Sequence, residues 1–174
     1  MKRKTSITPA FHAGVWPCSL SLIAALLAGV TANAQAQGIP HVWIAGGGAD
    51  TRWSTGGNWD MSSPPGAGDD VYIGNSASLQ TVRLDGAQQV GLFYLGTSGS
   101  ATLDFDPAAS LQTNLSILSN SATSQVSMNL AGGQSWTDTS LSIIGNFGRA
   151  QVSLSDGASF NGVRVYLGSE RGAH

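Results

Sequence analysis

The fold class predicted by this 174-residue sequence is all-β, a β-solenoid or parallel β-helix of 23–26-residue coils behind an N-terminal signal peptide, with a β-sandwich as the alternative. Three observations predict it. A short apolar segment closed by a small residue recurs four times at a nearly fixed interval. The stretches between these anchors alternate apolar and polar residues with a period of two, as half-buried strands do. Only 10% of the chain is charged while glycine reaches 23 residues, so solvation rests on neutral polar side chains, which suits strands and turns better than solvent-facing helices.

The first element is the leader. Lys2, Arg3 and Lys4 precede a neutral stretch to Pro17, then an apolar run over residues 19–30, then small residues at Ala32, Ala34 and Ala36. That order of basic, apolar and small residues is a secretion signal, spanning residues 1–36, with cleavage expected after Ala34 or Ala36. A run of about 12 residues is too short for a permanent membrane helix, so no membrane-spanning segment is expected in the mature chain. The single cysteine, Cys18, lies before the run. The mature chain is therefore expected to contain no disulfide.

After the leader, residues 37–90 form an N-terminal capping segment and first strands, and residues 91–174 form the repetitive solenoid. In the second block the anchors are Leu92-Phe93-Tyr94-Leu95-Gly96, Leu115-Ser116-Ile117-Leu118-Ser119, Leu141-Ser142-Ile143-Ile144-Gly145 and Val165-Tyr166-Leu167-Gly168. Their closing residues are 23, 26 and 23 apart. Seven and nine residues beyond the first three anchors stand Leu103 and Phe105, Val126 and Met128, and Val152 and Leu154. Serine followed by a large apolar residue then recurs as Ser110-Leu111, Ser135-Trp136 and Ser159-Phe160. A unit this short cannot close a core alone, so neighbouring coils must stack. Without a capping element after Gly168, the chain is expected to be the front of a longer protein or a truncated reading frame.

Composition excludes one class of partner. Beyond residue 37 there are five arginines, no lysine and ten acidic residues, and no basic stripe that would displace counterions from a phosphate backbone. Nucleic acid is not an expected partner.

Candidate sites are few. Trp43, Trp53 and Trp59 with Asn58 read either as a carbohydrate-stacking platform or as a plug over the open end of the solenoid. Asp69/Asp70 and Asp104/Asp106 are paired carboxylates of the kind glycosidases use, but they suit turn and solvated-face roles better. Gly46-Gly47-Gly48-Ala49-Asp50 lacks the lysine of a phosphate loop and the recurrence of a calcium repeat, and reads as a flexible loop. His41 and His174 are the only histidines beyond the leader, and no nucleophile-elbow spacing accompanies them. No catalytic set, metal site or cofactor is expected.

Residues 41–168 resemble the passenger region of bacterial autotransporters. The resemblance rests on Trp43, then Asn58-Trp59, then Pro64-Pro65-Gly66 leading into Gly68-Asp69-Asp70-Val71-Tyr72-Ile73, and on the Leu-Ser-Ile-Ile-Gly anchor followed by Gly157-Ala158-Ser159. It implies a secreted or cell-surface stalk or adhesin-like module without catalysis. An extracellular glycan or host surface is the partner expected, with an outer-membrane β-barrel where a longer chain exists. A β-helical carbohydrate-binding module or polysaccharide-degrading enzyme is the alternative function.

Overall fold

The computed structural model describes residues 38–168; the expected leader at residues 1–36, with its cleavage after Ala34 or Ala36 and its Cys18, and the last six residues, with His174, lie outside the described residues. The coils over the described residues belong to one compact unit. Twelve strands follow in order: β1 (Pro40–Val42), β2 (Asp70–Ile73), β3 (Gln80–Leu84), β4 (Ala87–Gln89), β5 (Leu92–Leu95), β6 (Ala101–Phe105), β7 (Ser110–Leu118), β8 (Gln125–Leu130), β9 (Ser135–Ile144), β10 (Arg149–Leu154), β11 (Ser159–Gly162) and β12 (Val165–Leu167). One 3-10 turn, Gly56–Asn58, is the only helical segment among the described residues.

All pairing between these strands is parallel, and each strand meets its equivalent one coil away. The chain is a β-solenoid of about four stacked turns. The first side carries β1, β2, β5, the second halves of β7 and β9, and β12. On the second side β3, β6, β8 and β10 stack in that order. The third side carries β4, the first halves of β7 and β9, and β11. The register in β7 and β9 shifts between Thr113 and Leu115. There the inward set passes from Leu111 and Thr113 to Ser116 and Leu118, all four buried, and the strand bends onto the next side.

The core is the ladder of inward residues. On the second side Val82, Leu103 and Met128 share a register position, as do Leu84 and Phe105. On the third, Leu111, Trp136 and Phe160 are in line, and the last two rings stack at 4.1 Å. Burial of this ladder supplies the drive to stack, at about 1.5–3 kcal/mol for each large side chain.

The small residue closing each anchor has a geometric cause. Gly74, Gly96, Ser119, Gly145 and Gly168 all have φ between 61° and 79°, the left-handed region that glycine enters without penalty. They turn the chain at the same corner of successive coils. Crowding adds a second demand: a Cβ on Gly74 would lie 2.8 Å from the Gly96 Cα, and one on Gly96 would lie 2.3 Å from a Val126 methyl.

The stack also starts earlier than the repeat read from the sequence. Tyr72 is in register with Tyr94 and Val82 with Leu103, so Val71-Tyr72-Ile73-Gly74 is an anchor of the same kind. Pro40–Val42 adds a rung before it.

Candidate functional site

Of the residues singled out for chemistry, the three tryptophans, Asn58, the glycine run and Asp69/Asp70 converge at the first coil, between β1 and β2, where the chain makes a detour. Trp59 lies at the centre. Its ring meets Trp43 edge-on at 5.0 Å, Trp53 at 4.9 Å and His41 at 6.3 Å, the T-shaped arrangement that aromatic quadrupoles favour. Its indole N–H donates to the Trp53 carbonyl at 2.7 Å. Trp53 in turn packs on Phe93 of the next coil. The three tryptophans are 0–1% exposed. No ring face is open for a sugar to stack on, and the cluster sits over the first rungs as a plug. Nδ1 of His41 and the indole N–H groups of Trp43 and Trp53 make no hydrogen bond, so ring packing holds those two tryptophans.

Asn58 is also fully buried, and its amide is consumed by backbone. Oδ1 accepts the Gly47 N–H at 2.8 Å, while Nδ2 donates to the carbonyls of Asp50 and Arg52 at 2.8 and 3.1 Å. The glycine run is therefore not a loose loop. A Cβ at Gly46 would lie 2.4 Å from the Gly57 carbonyl, and one at Gly47 would lie 2.6 Å from Asn58 Oδ1, so glycine is needed for the loop to lie on the 3-10 turn. Asp50 closes it by accepting from the Arg52 N–H and the Thr55 hydroxyl, and these bonds, the backbone one first, hold its carboxyl below the usual range.

The acidic pair is spent on the turn into β2. Asp69 Oδ1 accepts the Ile39 N–H at 3.2 Å, and Oδ2 accepts the Gly66 N–H at 2.8 Å and lies 3.3 Å from His41 Nε2. Asp70 accepts the Leu92 N–H at 3.2 Å and is 5% exposed. Of the second pair, Asp104 on the outer face of the second side accepts from the Asn129 amide at 2.8 Å. Asp106 pairs with Arg83, whose pKa that bond raises.

One buried carboxylate was not among the candidates read from the sequence. Asp138, at the bend of β9, accepts the N–H groups of Ser140 and Leu141 at 3.0 and 2.9 Å and lies 3.2 Å from the Thr113 hydroxyl. Thr113 also meets Ser116 at 2.8 Å and the Trp136 indole at 3.3 Å. The signal was the Asp-x-Ser spacing, in which an aspartate side chain caps its own turn.

Among the described residues no group of three His, Cys, Asp or Glu is arranged to hold a metal, and no helix is long and apolar enough to cross a membrane. A surface recess of about 580 Å³ beside the plug is lined by Ile44, Thr51, Asn75, Ser78, Leu79 and Thr81, among others. Comparison with protein-family models, with curated proteins and with solved structures finds no match.

Proposed function

We propose that the chain is an exported, non-catalytic surface module, a β-helical stalk or adhesin-like segment of the kind autotransporter passengers provide. One observation carries the reading. At the first coil, Asn58, Asp69 and Asp70 are engaged with backbone N–H and carbonyl groups and the tryptophans are buried on one another. Their chemistry is used in closing the coil. What the fold presents outward is a set of regular strand faces, which suits display and contact rather than turnover. The basic, apolar and small-residue order of the leader supports export, and the net acidity and lack of lysine after it argue for a partner other than nucleic acid or anionic lipid.

Expression in a Gram-negative host, followed by fractionation and N-terminal sequencing of the product, tests the reading. The expected product leaves the cytoplasm and begins at Gln35 or Gln37. A chain kept in the cytoplasm with its leader intact would overturn it.

A second reading, a carbohydrate-binding module, draws support from the recess beside the plug, where exposed Ile44 and Leu79 lie among amide and hydroxyl side chains. Sugar sites combine an apolar floor with such groups. A glycan panel decides it: binding lost on Leu79→Asp supports the recess, and no binding removes it.

A further inference from the structure

The chain covers the strand edges of its first coil with its own loops, and in one place the cover stops short. On the first side, Pro40 has no N–H to offer, and Val42 exchanges bonds with Asp60, whose N–H donates to the Val42 carbonyl and whose Oδ1 accepts the Val42 N–H. On the second side the edge strand is β3. The Gln80 N–H donates to the Ser100 carbonyl and the Leu84 carbonyl accepts the Asp106 N–H, so the even-numbered residues of β3 turn their backbone to β6. The odd-numbered residues turn theirs to the free edge. Arg83 is met there: its N–H donates to the Thr51 carbonyl and its carbonyl accepts the Trp53 N–H, both at 2.8 Å. One rung earlier the loop peels away from β3. The N–H and carbonyl of Thr81 and the N–H of Thr51 take no partner among the described residues, and both residues line the recess beside the plug.

We propose that this recess binds a single uncharged sugar unit through the unpaired backbone of Thr81, a reading that deepens the carbohydrate-binding one and rests on it. The hydrogen-bonding groups select a hydroxyl ligand. A sugar hydroxyl donates and accepts at once, which matches an N–H and a carbonyl from one residue with the Asn75 amide and the Ser78 hydroxyl around them. The charge balance selects a neutral one. No residue lining the recess is charged, so a carboxylate or sulfate would lose water without gaining a cation. The apolar contact comes from Ile44 and Leu79, 52% and 63% exposed, which serve the C–H groups of a sugar ring in place of the buried tryptophans. A volume of about 580 Å³ falls in the range of small-ligand sites, about 300–1,000 Å³. An extended peptide fits less well. Strand addition draws on a row of free rungs, and beside the recess there is one, because Arg83 is already paired.

Saturation-transfer NMR on the folded chain tests this. The neutral probes are methyl α-glucoside, methyl α-mannoside, methyl β-galactoside and N-acetylglucosamine. Glucuronic acid and N-acetylneuraminic acid are the acidic probes, and acetyl-Thr-Val-Thr-amide is the strand probe. At least one neutral probe should bind, at least about ten-fold more tightly than either acidic one, with little change between about 50 and 500 mM salt. That preference is read on the parent chain and needs no variant. Thr81→Pro removes the N–H at the free edge and leaves the bonds to β6 whole, and should weaken binding at least about five-fold. Thr81→Val, which keeps the backbone, and Asn161→Asp on the third side should both bind as the parent does, with circular dichroism checking the fold of each variant. Preference for an acidic sugar, or neutral binding untouched by Thr81→Pro in a folded chain, overturns the inference and leaves the carbohydrate-binding reading standing. Binding of the tripeptide alone, or of no probe, overturns both.

Discussion

At the scale of single residues, the first coil is stabilised by a few side chains that have no substitute. Asn58 satisfies one backbone N–H and two carbonyls from a fully buried position. Asn58→Ala leaves them unpaired and should cost about 2–4 kcal/mol in urea unfolding. Trp59→Ala removes the ring that Trp43, Trp53 and His41 share and should cost about 3–5 kcal/mol. Trp59→Phe should cost less, the remainder reporting the indole bond to the Trp53 carbonyl. Two groups give the stability a pH dependence of known sign. Asp50 is held below its ordinary range by the Arg52 N–H and then the Thr55 hydroxyl, so its contribution is present above the unfolded carboxylate pKa and is lost as pH falls through the lower folded value. Asp50→Asn should therefore differ from the parent in melting temperature at neutral pH and converge with it in acid. Tyr72 is raised from 10.0 by burial and then by Asp70 and Tyr94, so stability is complete below the unfolded phenol pKa and falls as pH rises through the folded one. Tyr72→Phe should blunt that alkaline loss.

At the scale of elements, the anchors were legible because one stereochemical need repeats. Each coil must turn through a left-handed residue at the same corner, and that need writes Gly, Ser, Gly and Gly at a nearly fixed interval. The inward alternation of β6, β8 and β10 was legible for the same reason, since one residue in two has to be apolar. The first coil was harder to read. Its anchor at Val71-Tyr72-Ile73-Gly74 lies 22 residues before Gly96, but the detour between β1 and β2 separates Pro40 from its partner Asp70 by 30 residues and hides the earlier rung. Glycines at 46–48 suggest looseness in a sequence, whereas close approach requires Gly46 and Gly47 and a left-handed φ of 69° favours glycine at Gly48. The bond count of Asn58 depends on a loop path that no local pattern encodes. Ser119 is the exception among the corners, a non-glycine residue at φ 61°, with its hydroxyl bonded to Ser124 at 2.7 Å. Ser119→Gly should remove the backbone penalty but lose that bond, giving a change within about 1 kcal/mol by thermal melting.

At the scale of the whole molecule, stacked coils make stability a sum of neighbour contacts, so it should vary along the axis. Inner residues of the last coil are less covered than their equivalents: Leu154 is 46% exposed where Leu130 is 2%. Hydrogen exchange should accordingly be faster in β10 and β11 than in β6 and β8, and Trp136→Ala should accelerate it further in β11 while sparing β2 and β3. The central claim is that successive coils lie in parallel register, since the plug and the corners both depend on it. Paired cysteines test it most directly. Thr102 and Ser127 are register partners on adjacent coils of the second side, at a spacing that suits a disulfide, while Asn129 sits two residues out of register. On a Cys18→Ser background, Thr102→Cys with Ser127→Cys should oxidise readily in the folded chain, and Thr102→Cys with Asn129→Cys should not. Equal oxidation of both pairs, or oxidation of the second alone, would contradict the stacked parallel solenoid and the account built on it.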